Sequence, residues 1–192
     1  MTPGPLEPLD VLTRSSAFFG EQVALLTDED LELATQHDDW NVQTLVAHLV
    51  LNDAVAKDAV SGIATGPVTE FDPKILGTSP VTVWRGTALA MIQAFSAEGA
   101  LEAEVDFGDN QLSGLQLLGF RASDSLVYGW DLGQATGRPV AIPDGLAEAV
   151  LDSWLPFLAK LEDPSFVGDG PREPAADATS GERLLALMGR RA

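Results

Sequence analysis

The sequence contains no cysteine, and this absence excludes several kinds of chemistry at once. Disulfide bonds, thiolate zinc sites, iron–sulfur clusters and cysteine nucleophiles all require a cysteine side chain. Histidine is also scarce, with His37 and His48 as its two copies, and Tyr128 is the single tyrosine. Imidazole and phenol chemistry can therefore come only from these three positions.

Basic residues are few: 11 Lys and Arg stand against 29 Asp and Glu, for a formal net charge of −18. Such a surface repels nucleic-acid phosphates and anionic membranes, so we predict neither as a partner. No apolar run is long enough to span a bilayer. The first ten residues carry Pro and Glu where a signal peptide has basic and then apolar residues, so we expect a cytoplasmic protein.

Hydrophobic residues make up 45% of the 192 positions, enough for one domain with a packed core. We therefore expect residues 1–192 to form a single domain. A homodimer stays open as an alternative, because helical bundles with exposed apolar faces often pair.

Apolar residues recur at spacings of three and four in four long segments, which predicts helices. The segments are residues 6–26, 41–61, 79–99 and 113–137, and residues 62–78 read as a crossover loop. A fifth helix is expected over 144–160, where Pro156 should kink or shorten it, and a short one over 182–188. Strand patterns are nearly absent, apart from a short extended segment around 105–107. The predicted fold class is all-α: a four-helix bundle with additional C-terminal helices.

Capping residues mark where these helices begin. A polar side chain just before a helix can accept a hydrogen bond from a free backbone N–H of the first turn. The predicted caps are Asn41, Ser79 followed by Pro80, Ser113 with Gln116, and Thr179 with Glu182.

The candidate chemistry begins with His48, which lies mid-helix beside Leu45 and Leu49 on an apolar stripe. One interpretation is a core histidine satisfied by a single hydrogen bond, and the other is a functional group in a pocket. His37 lies in a polar run before the second helix, and we predict a solvated loop residue there.

Asp124 and Tyr128 are four residues apart on the fourth helix and therefore share a face. A buried carboxylate needs a partner, and Arg121 lies one turn earlier. The alternative to a functional site is a structural Arg121–Asp124 pair beside a packed Tyr128.

Single arginines lie on the first, third and fourth predicted helices: Arg14, Arg85 and Arg121. They either bind a carboxylate of a small-molecule substrate or pair with surface carboxylates. The four tryptophans are expected in the core or in a pocket wall, namely Trp40, Trp84, Trp130 and Trp154. For Trp130 a structural role is expected, with Asp131 pairing or capping nearby.

Two segments carry a family resemblance. Residues 40–50 (WNVQTLVAHLV) resemble the signature Gly-Trp-Thr-Val-x-Asp-Leu-Val-Ala-His-Leu of the DinB-like, mycothiol-dependent maleylpyruvate isomerase-like family. Residues 124–137 (DSLVYGWDLGQATG) resemble its second signature, an acidic residue four before a histidine, then Gly-Trp-Asp-Leu-Ala and Ala-Thr-Gly. Residues 182–190 (ERLLALMGR) look like the closing motif of one subgroup.

The resemblance implies a DinB-type four-helix bundle and a divalent metal, often zinc. Its ligands would be His48, Asp124 and the residue at position 128, where this chain has Tyr128 instead of histidine. Catalytic zinc usually has three protein ligands. With Tyr128 in place of histidine, the third ligand is missing unless the phenolate of Tyr128 or the side-chain oxygen of Asn52 supplies it. The resemblance also implies the thiol mycothiol as cofactor, with a metal-activated thiolate adding to an alkene.

Three functions follow from these residues. The first is a small-molecule enzyme that performs metal-independent proton transfer, as in isomerisation, cyclisation or elimination, with His48, Asp124 and Tyr128 as catalytic residues. Its substrate contacts would come from Arg121, Arg85, Asn52 and Trp130. The second is a metal- and mycothiol-dependent isomerase or S-transferase. The third is a non-catalytic ligand-binding relative with a decayed site.

Overall fold

The structure is a computed structural model that describes residues 6–37, 39–108, 110–158 and 170–191, without the side chains of 154–158. Within these ranges the helices are α1 (Pro8–Val23), α2 (Val42–Val60), α3 (Pro80–Phe95), α4 (Gly114–Ala135), α5 (Asp144–Leu158) and α6 (Ser180–Leu187). Two short strands are β1 (Glu104–Phe107) and β2 (Asn110–Ser113). No helix in the described part of the chain is long and apolar enough to cross a membrane.

The first four helices form the predicted bundle. Helix α1 packs against α4 and α3, and α2 packs against α3 and α4, so each of these four helices has two neighbours within the bundle. Helix α5 lies against α4 and α1, and α6 packs on α5 and α4. The predicted all-α architecture, a four-helix bundle with additional C-terminal helices, is therefore confirmed.

Two glycines allow helices of the bundle to approach closely. A Cβ atom on Gly20 of α1 would lie 1.9 Å from the ring of Trp84 on α3. A Cβ atom on Gly129 of α4 would lie 2.8 Å from the ring of Phe18 on α1. Gly20, in the last turn of α1, thus weakens helix propensity but makes room for an indole ring.

Most of the predicted caps are present. Asn41 accepts a hydrogen bond from the backbone N–H of Thr44 at 2.9 Å, which fixes the start of α2. Capping boxes begin the other two helices as predicted, with Ser113 and Gln116 at α4 and Thr179 and Glu182 at α6. Ser79 precedes α3 and Pro80 is its first residue, as predicted, but the Ser79 side chain makes no hydrogen bond to the backbone of α3. Its hydroxyl instead lies 2.7 Å from that of Thr82.

The segment between α3 and α4 is more ordered than predicted. Strands β1 and β2 pair antiparallel with Glu104 opposite Ser113, so the expected extended stretch is one half of a hairpin. Val105, Phe107 and Leu112 point into the core, and Phe107 also bridges to Thr65 in the crossover loop. Helix α3 ends at Phe95 rather than Gly99. Helix α5 continues past Pro156 to Leu158, and Lys160, where we expected it to end, lies outside the described residues.

Candidate active site

Four aromatic rings meet in a closed cycle at the beginning of α2. Ring centroids are 4.9 Å apart for His37 and Trp40, 4.6 Å for Trp40 and His48, 5.8 Å for His48 and Tyr128, and 5.7 Å for Tyr128 and His37. Phe71 adds a fifth ring, 5.9 Å from His48. We call these five residues the aromatic cluster. All five residues are partly exposed.

Local sequence features place these rings. The Asn41 cap starts α2 directly after Trp40, so Trp40 and His48 lie close together across two turns. In the loop before α2, the backbone N–H of Thr35 donates a hydrogen bond to the backbone carbonyl of Trp40 at 3.0 Å. Tyr128 lies next to Gly129, the position at which α4 approaches α1. Distant parts of the chain thus bring their aromatic side chains to one end of α2.

His37 is not the solvated loop residue that its polar neighbours predicted. Its side chain is only 24% exposed. Its Nε2 atom lies 2.7 Å from Nη2 of Arg190 and 3.2 Å from an oxygen of Asp131. The prediction failed because the C-terminal tail, 153 positions away, brings Arg190 onto the loop.

Arg190 joins the tail to α4. Its Nη2 donates to the buried carboxylate of Asp131 at 2.8 Å, and its Nη1 donates to the carbonyl of Met188 at 2.7 Å. Its guanidinium carbon lies 5.9 Å from the ring centroid of Tyr128. A guanidinium group can only donate hydrogen bonds, so Nε2 of His37 must accept the one from Arg190. The proton of a neutral His37 therefore lies on Nδ1.

A second buried arginine joins α2 to α4. Arg121 donates from Nε and Nη2 to one oxygen of Asp53, at 3.0 Å and 2.8 Å, and from Nη1 to Asp124 at 2.7 Å. Arg121 and Asp53 are 0% exposed. The Arg121–Asp124 pair that we considered as an alternative is confirmed, but Asp53 was missed. Because Arg121 is enclosed between two carboxylates, the expectation that it contacts a substrate finds no support in this geometry.

Burial changes the proton affinity of the three predicted catalytic residues. It raises the pKa of Asp124 to about 6, although the positive charge of Arg121 opposes that rise. Burial, reinforced by Arg121, lowers the pKa of His48 to about 3. The pKa of Tyr128 is raised, first by burial and then by the charge of Asp124. At neutral pH we therefore expect an uncharged His48, a protonated Tyr128 and an Asp124 close to its titration range.

Asn52 supports His48 from the next turn of α2. Its Nδ2 donates to the backbone carbonyl of His48 at 2.9 Å and lies 3.3 Å and 3.4 Å from the two ring nitrogens. Its carbonyl oxygen accepts the backbone N–H of Val68 at 3.1 Å. Asn52 is 2% exposed, so its position is that of a buried support beneath His48.

The other expected contact residues lie in different surroundings. Arg85 is exposed on α3, and within the described ranges no hydrogen bond or ion pair joins it to the aromatic cluster. Trp130 is 6% exposed and packs in the core, in keeping with the structural role expected for it, while Asp131 pairs with Arg190. The side chain of Trp154 lies outside the described residues.

The divalent metal implied by the family resemblance fits this donor set poorly. One oxygen of Asp124 is bonded to Arg121, whose guanidinium group places positive charge beside it. Tyr128 holds its proton more tightly than usual, because its pKa is raised, and the carbonyl of Asn52 is already hydrogen-bonded. Among the described residues, no group of three or more His, Cys, Asp or Glu side chains is placed to hold a metal ion.

Sequence reasoning missed His37, Asp53, Phe71 and Arg190 as parts of this site. Asp53 follows Asn52 directly, and Arg190 ends the closing motif. These positions in the sequence do not indicate that Asp53 pairs with Arg121 or that Arg190 pairs with Asp131. The scarcity of histidine was the one available signal for His37, because both histidines of the chain lie in the aromatic cluster.

Solved structures with the same fold include mycothiol-dependent maleylpyruvate isomerase and a histidine-to-alanine mutant of that enzyme. Their TM-scores are 0.57 and 0.59, with 16% and 14% sequence identity. Each match covers 74% of this chain and 65% of the enzyme chain, less than two thirds of its length. At this identity the likeness shows the fold alone.

Closer in sequence are two Mycobacterium tuberculosis proteins, the uncharacterized proteins Rv0738 of strain H37Rv and MT0763 of strain CDC 1551. Each is 26% identical over 196 residues, covering 96% of this chain and 98% of the relative. A sequence model of the mycothiol maleylpyruvate isomerase N-terminal domain matches residues 12–133, which is more than half of the chain. The matched segment includes His48, Asp124 and Tyr128 but ends well before Arg190. The chain belongs to the family of the mycothiol maleylpyruvate isomerase N-terminal domain.

Proposed function

We propose that this protein is a small-molecule enzyme that transfers protons without a metal. Asp124 would accept a proton from the substrate, and the Tyr128 hydroxyl would donate a hydrogen bond or a proton to the substrate. The observation that supports this most strongly is the position of Asp124, which is 4% exposed, accepts a hydrogen bond from Arg121 at 2.7 Å and lies one turn before Tyr128. Burial raises the pKa of Asp124 to about 6 and also raises the pKa of Tyr128. A general base works best when its pKa lies near the working pH.

The surroundings of the two groups suit this division of roles. Arg121 holds one oxygen of Asp124 and stabilises the carboxylate between turnovers. Within the described ranges the Tyr128 hydroxyl makes no hydrogen bond, which leaves it for a substrate oxygen. Proton abstraction from carbon by Asp124, with Tyr128 stabilising the developing oxyanion, can begin an isomerisation, a cyclisation or an elimination.

His48 takes a different role from the one first expected. A histidine with a pKa of about 3 is too weak a base to remove a proton from carbon. In our proposal it stays uncharged and forms part of the pocket wall, held by Asn52 beneath and Trp40 beside it. It can then donate or accept a hydrogen bond without adding charge to the site.

The family match favours one alternative, a thiol-dependent isomerase or S-transferase. The solved relatives are mycothiol-dependent enzymes, so mycothiol is a candidate cosubstrate here. A thiol with an ordinary pKa near 8.5 would have to lose its proton to Asp124, since the donor set fits a metal poorly. Turnover that requires added mycothiol would support this alternative.

The first experiment measures zinc, nickel and manganese per chain by elemental mass spectrometry, after incubation with each ion and desalting. We expect well below one ion per chain for the wild type and for His48→Ala. Tyr128→His is the informative control, because it restores the family's histidine at that position. Near one ion per wild-type chain, lost in His48→Ala, would overturn the metal-independent proposal.

The second experiment uses 5-nitrobenzisoxazole, a flat probe whose ring opens when a base removes its one acidic C–H proton. The electrons of that C–H bond form the nitrile as the N–O bond breaks, and the product is a phenolate. We expect a rate at least about 100-fold above that of free acetate, rising with pH around the pKa of Asp124 near 6.

Variants assign that rate to the site. Asp124→Asn should abolish the acceleration and Tyr128→Phe should reduce it, whereas Glu98→Gln, an exposed carboxylate beyond α3, should leave it unchanged. Circular dichroism establishes that each variant is folded. No acceleration in the wild type, or an equal rate in the folded Asp124→Asn or Tyr128→Phe protein, would refute the proposed roles and favour a ligand-binding relative without turnover.

A further inference from the structure

We infer that the site accepts a flat, conjugated molecule without negative charge and discriminates against carboxylates. This inference rests on the proposed function, since it names the class of substrate that would meet Asp124 and Tyr128. It departs from the expectation that Arg121 or Arg85 binds a carboxylate of the substrate. Three features of the site support it.

The first feature is that both guanidinium groups at the site are already paired. Arg121 is 0% exposed and bonded to Asp53 and Asp124, so it cannot reach a ligand without breaking a buried ion pair. Arg190 is bonded to Asp131, to a backbone carbonyl and to His37. An incoming carboxylate would therefore compete with groups that are already well placed.

The second feature is the balance of charge. Among the described residues, the two guanidinium groups Arg121 and Arg190 pair with three carboxylates, those of Asp53, Asp124 and Asp131. The whole chain carries a formal net charge of −18, so the long-range field also opposes the approach of an anion.

The third feature is the wall of the site. Trp40, His48, Phe71 and Tyr128 present partly exposed rings, with edge-to-face and tilted contacts among them. Aromatic side chains pack well against flat conjugated molecules and offer little to a compact, strongly hydrated carboxylate. Two hydrogen-bonding groups in this wall, the imidazole of His48 and the hydroxyl of Tyr128, would orient a carbonyl or amide on such a molecule.

The matched pair benzamide and benzoate tests this inference, because the two probes share a ring and differ in charge. Binding is followed by NMR on protein with labelled histidine and tyrosine. The chain has one tyrosine and two histidines, all three in the aromatic cluster, so every labelled signal reports on the site. We expect benzamide to shift these signals and benzoate to bind at least about tenfold more weakly, the factor that 1.4 kcal/mol represents.

Two variants locate the binding. Trp40→Leu should weaken benzamide binding about fivefold or more through loss of ring contact, whereas Leu115→Ala, an exposed residue near the start of α4, should have no effect. Equal or tighter binding of benzoate would overturn the inference, and so would the absence of any shift with benzamide at millimolar concentration. These outcomes are independent of metal content and of turnover of the benzisoxazole probe, so a failure here differs from a failure of the proposed function.

Discussion

Replacing Arg121 with methionine would remove the guanidinium group that joins α2 to α4 beneath the candidate site. In the folded protein Asp53 and Asp124 would then remain buried without their cation, at 0% and 4% exposure. Removing one partner of a buried ion pair typically destabilises a protein by about 3–5 kcal/mol. Domains usually have only about 5–15 kcal/mol of stability, so Arg121→Met should lose a large part of it.

The assay is urea unfolding followed by circular dichroism at pH 7. Arg85→Met is the matched control, since it makes the same substitution at an exposed position of α3 and should change stability by no more than about 0.5 kcal/mol.

In Arg121→Met, the two buried carboxylates can become neutral by taking up protons. Their pKa values are already raised by burial and rise further without Arg121, so the folded state binds more protons than the unfolded state between the two pKa values.

The resulting pH dependence has a definite sign. Stability from a raised carboxyl pKa is fully present below the unfolded value, 3.8, and is lost as pH rises through the folded value, about 6 for Asp124 in the wild type. The deficit of Arg121→Met relative to the wild type should therefore be smaller at pH 5 than at pH 7. A loss below about 1 kcal/mol at pH 7, or a deficit that grows on acidification, would refute a buried, charge-paired Arg121.

Two further predictions concern the histidines. The pKa of His48 is depressed from 6.5 to about 3, so the contribution of this residue to stability is present above pH 6.5 and is lost as the pH falls toward 3. Between pH 7 and pH 4, His48→Gln should therefore lose less stability than the wild type. In urea unfolding, we expect the two losses to differ by on the order of a few kcal/mol. An equal loss in both proteins would contradict a buried, neutral imidazole. For His37, nitrogen NMR should show the proton of the neutral ring on Nδ1 in the wild type, and Arg190→Gln should permit the Nε2 form, because Nε2 then can donate to Asp131. Nε2 protonation in the wild type would show that the Arg190 contact is not a hydrogen bond.

The helices could be predicted because their determinants are local. Apolar spacing and side chains such as Asn41 and Ser113 act within one or two turns, and α2 and α4 begin where these caps indicated. The hairpin was missed because strands of four residues offer too short an alternation to detect. Its stability depends on Phe107 and Leu112 entering the core, which is a property of the assembled bundle.

The predicted site was incomplete for a similar reason. His48, Asp124 and Tyr128 were found from helical spacing and the family resemblance, and the rings of His48 and Tyr128 do meet. Helical spacing also indicated the Arg121–Asp124 pair, but the other two ion pairs join residues far apart in the chain: Arg121 and Asp53 are 68 positions apart, and Arg190 and Asp131 are 59. No periodicity within a helix carries that information, so the electrostatics of the site had to come from the fold.

The replacement of histidine by Tyr128 changes more than a possible metal ligand. A neutral imidazole can bind a metal ion through the lone pair of its unprotonated nitrogen. The protonated phenol of Tyr128, whose pKa is raised, is a hydrogen-bond donor instead. Asp124 still has a cation beside it, but that cation is the guanidinium of Arg121, which is fixed by Asp53 and cannot exchange. In our proposal, the paired cation Arg121, a carboxylate whose pKa is raised to about 6 and a phenol proton together favour proton transfer over Lewis-acid activation. Membership of the family alone therefore does not determine the chemistry of this site.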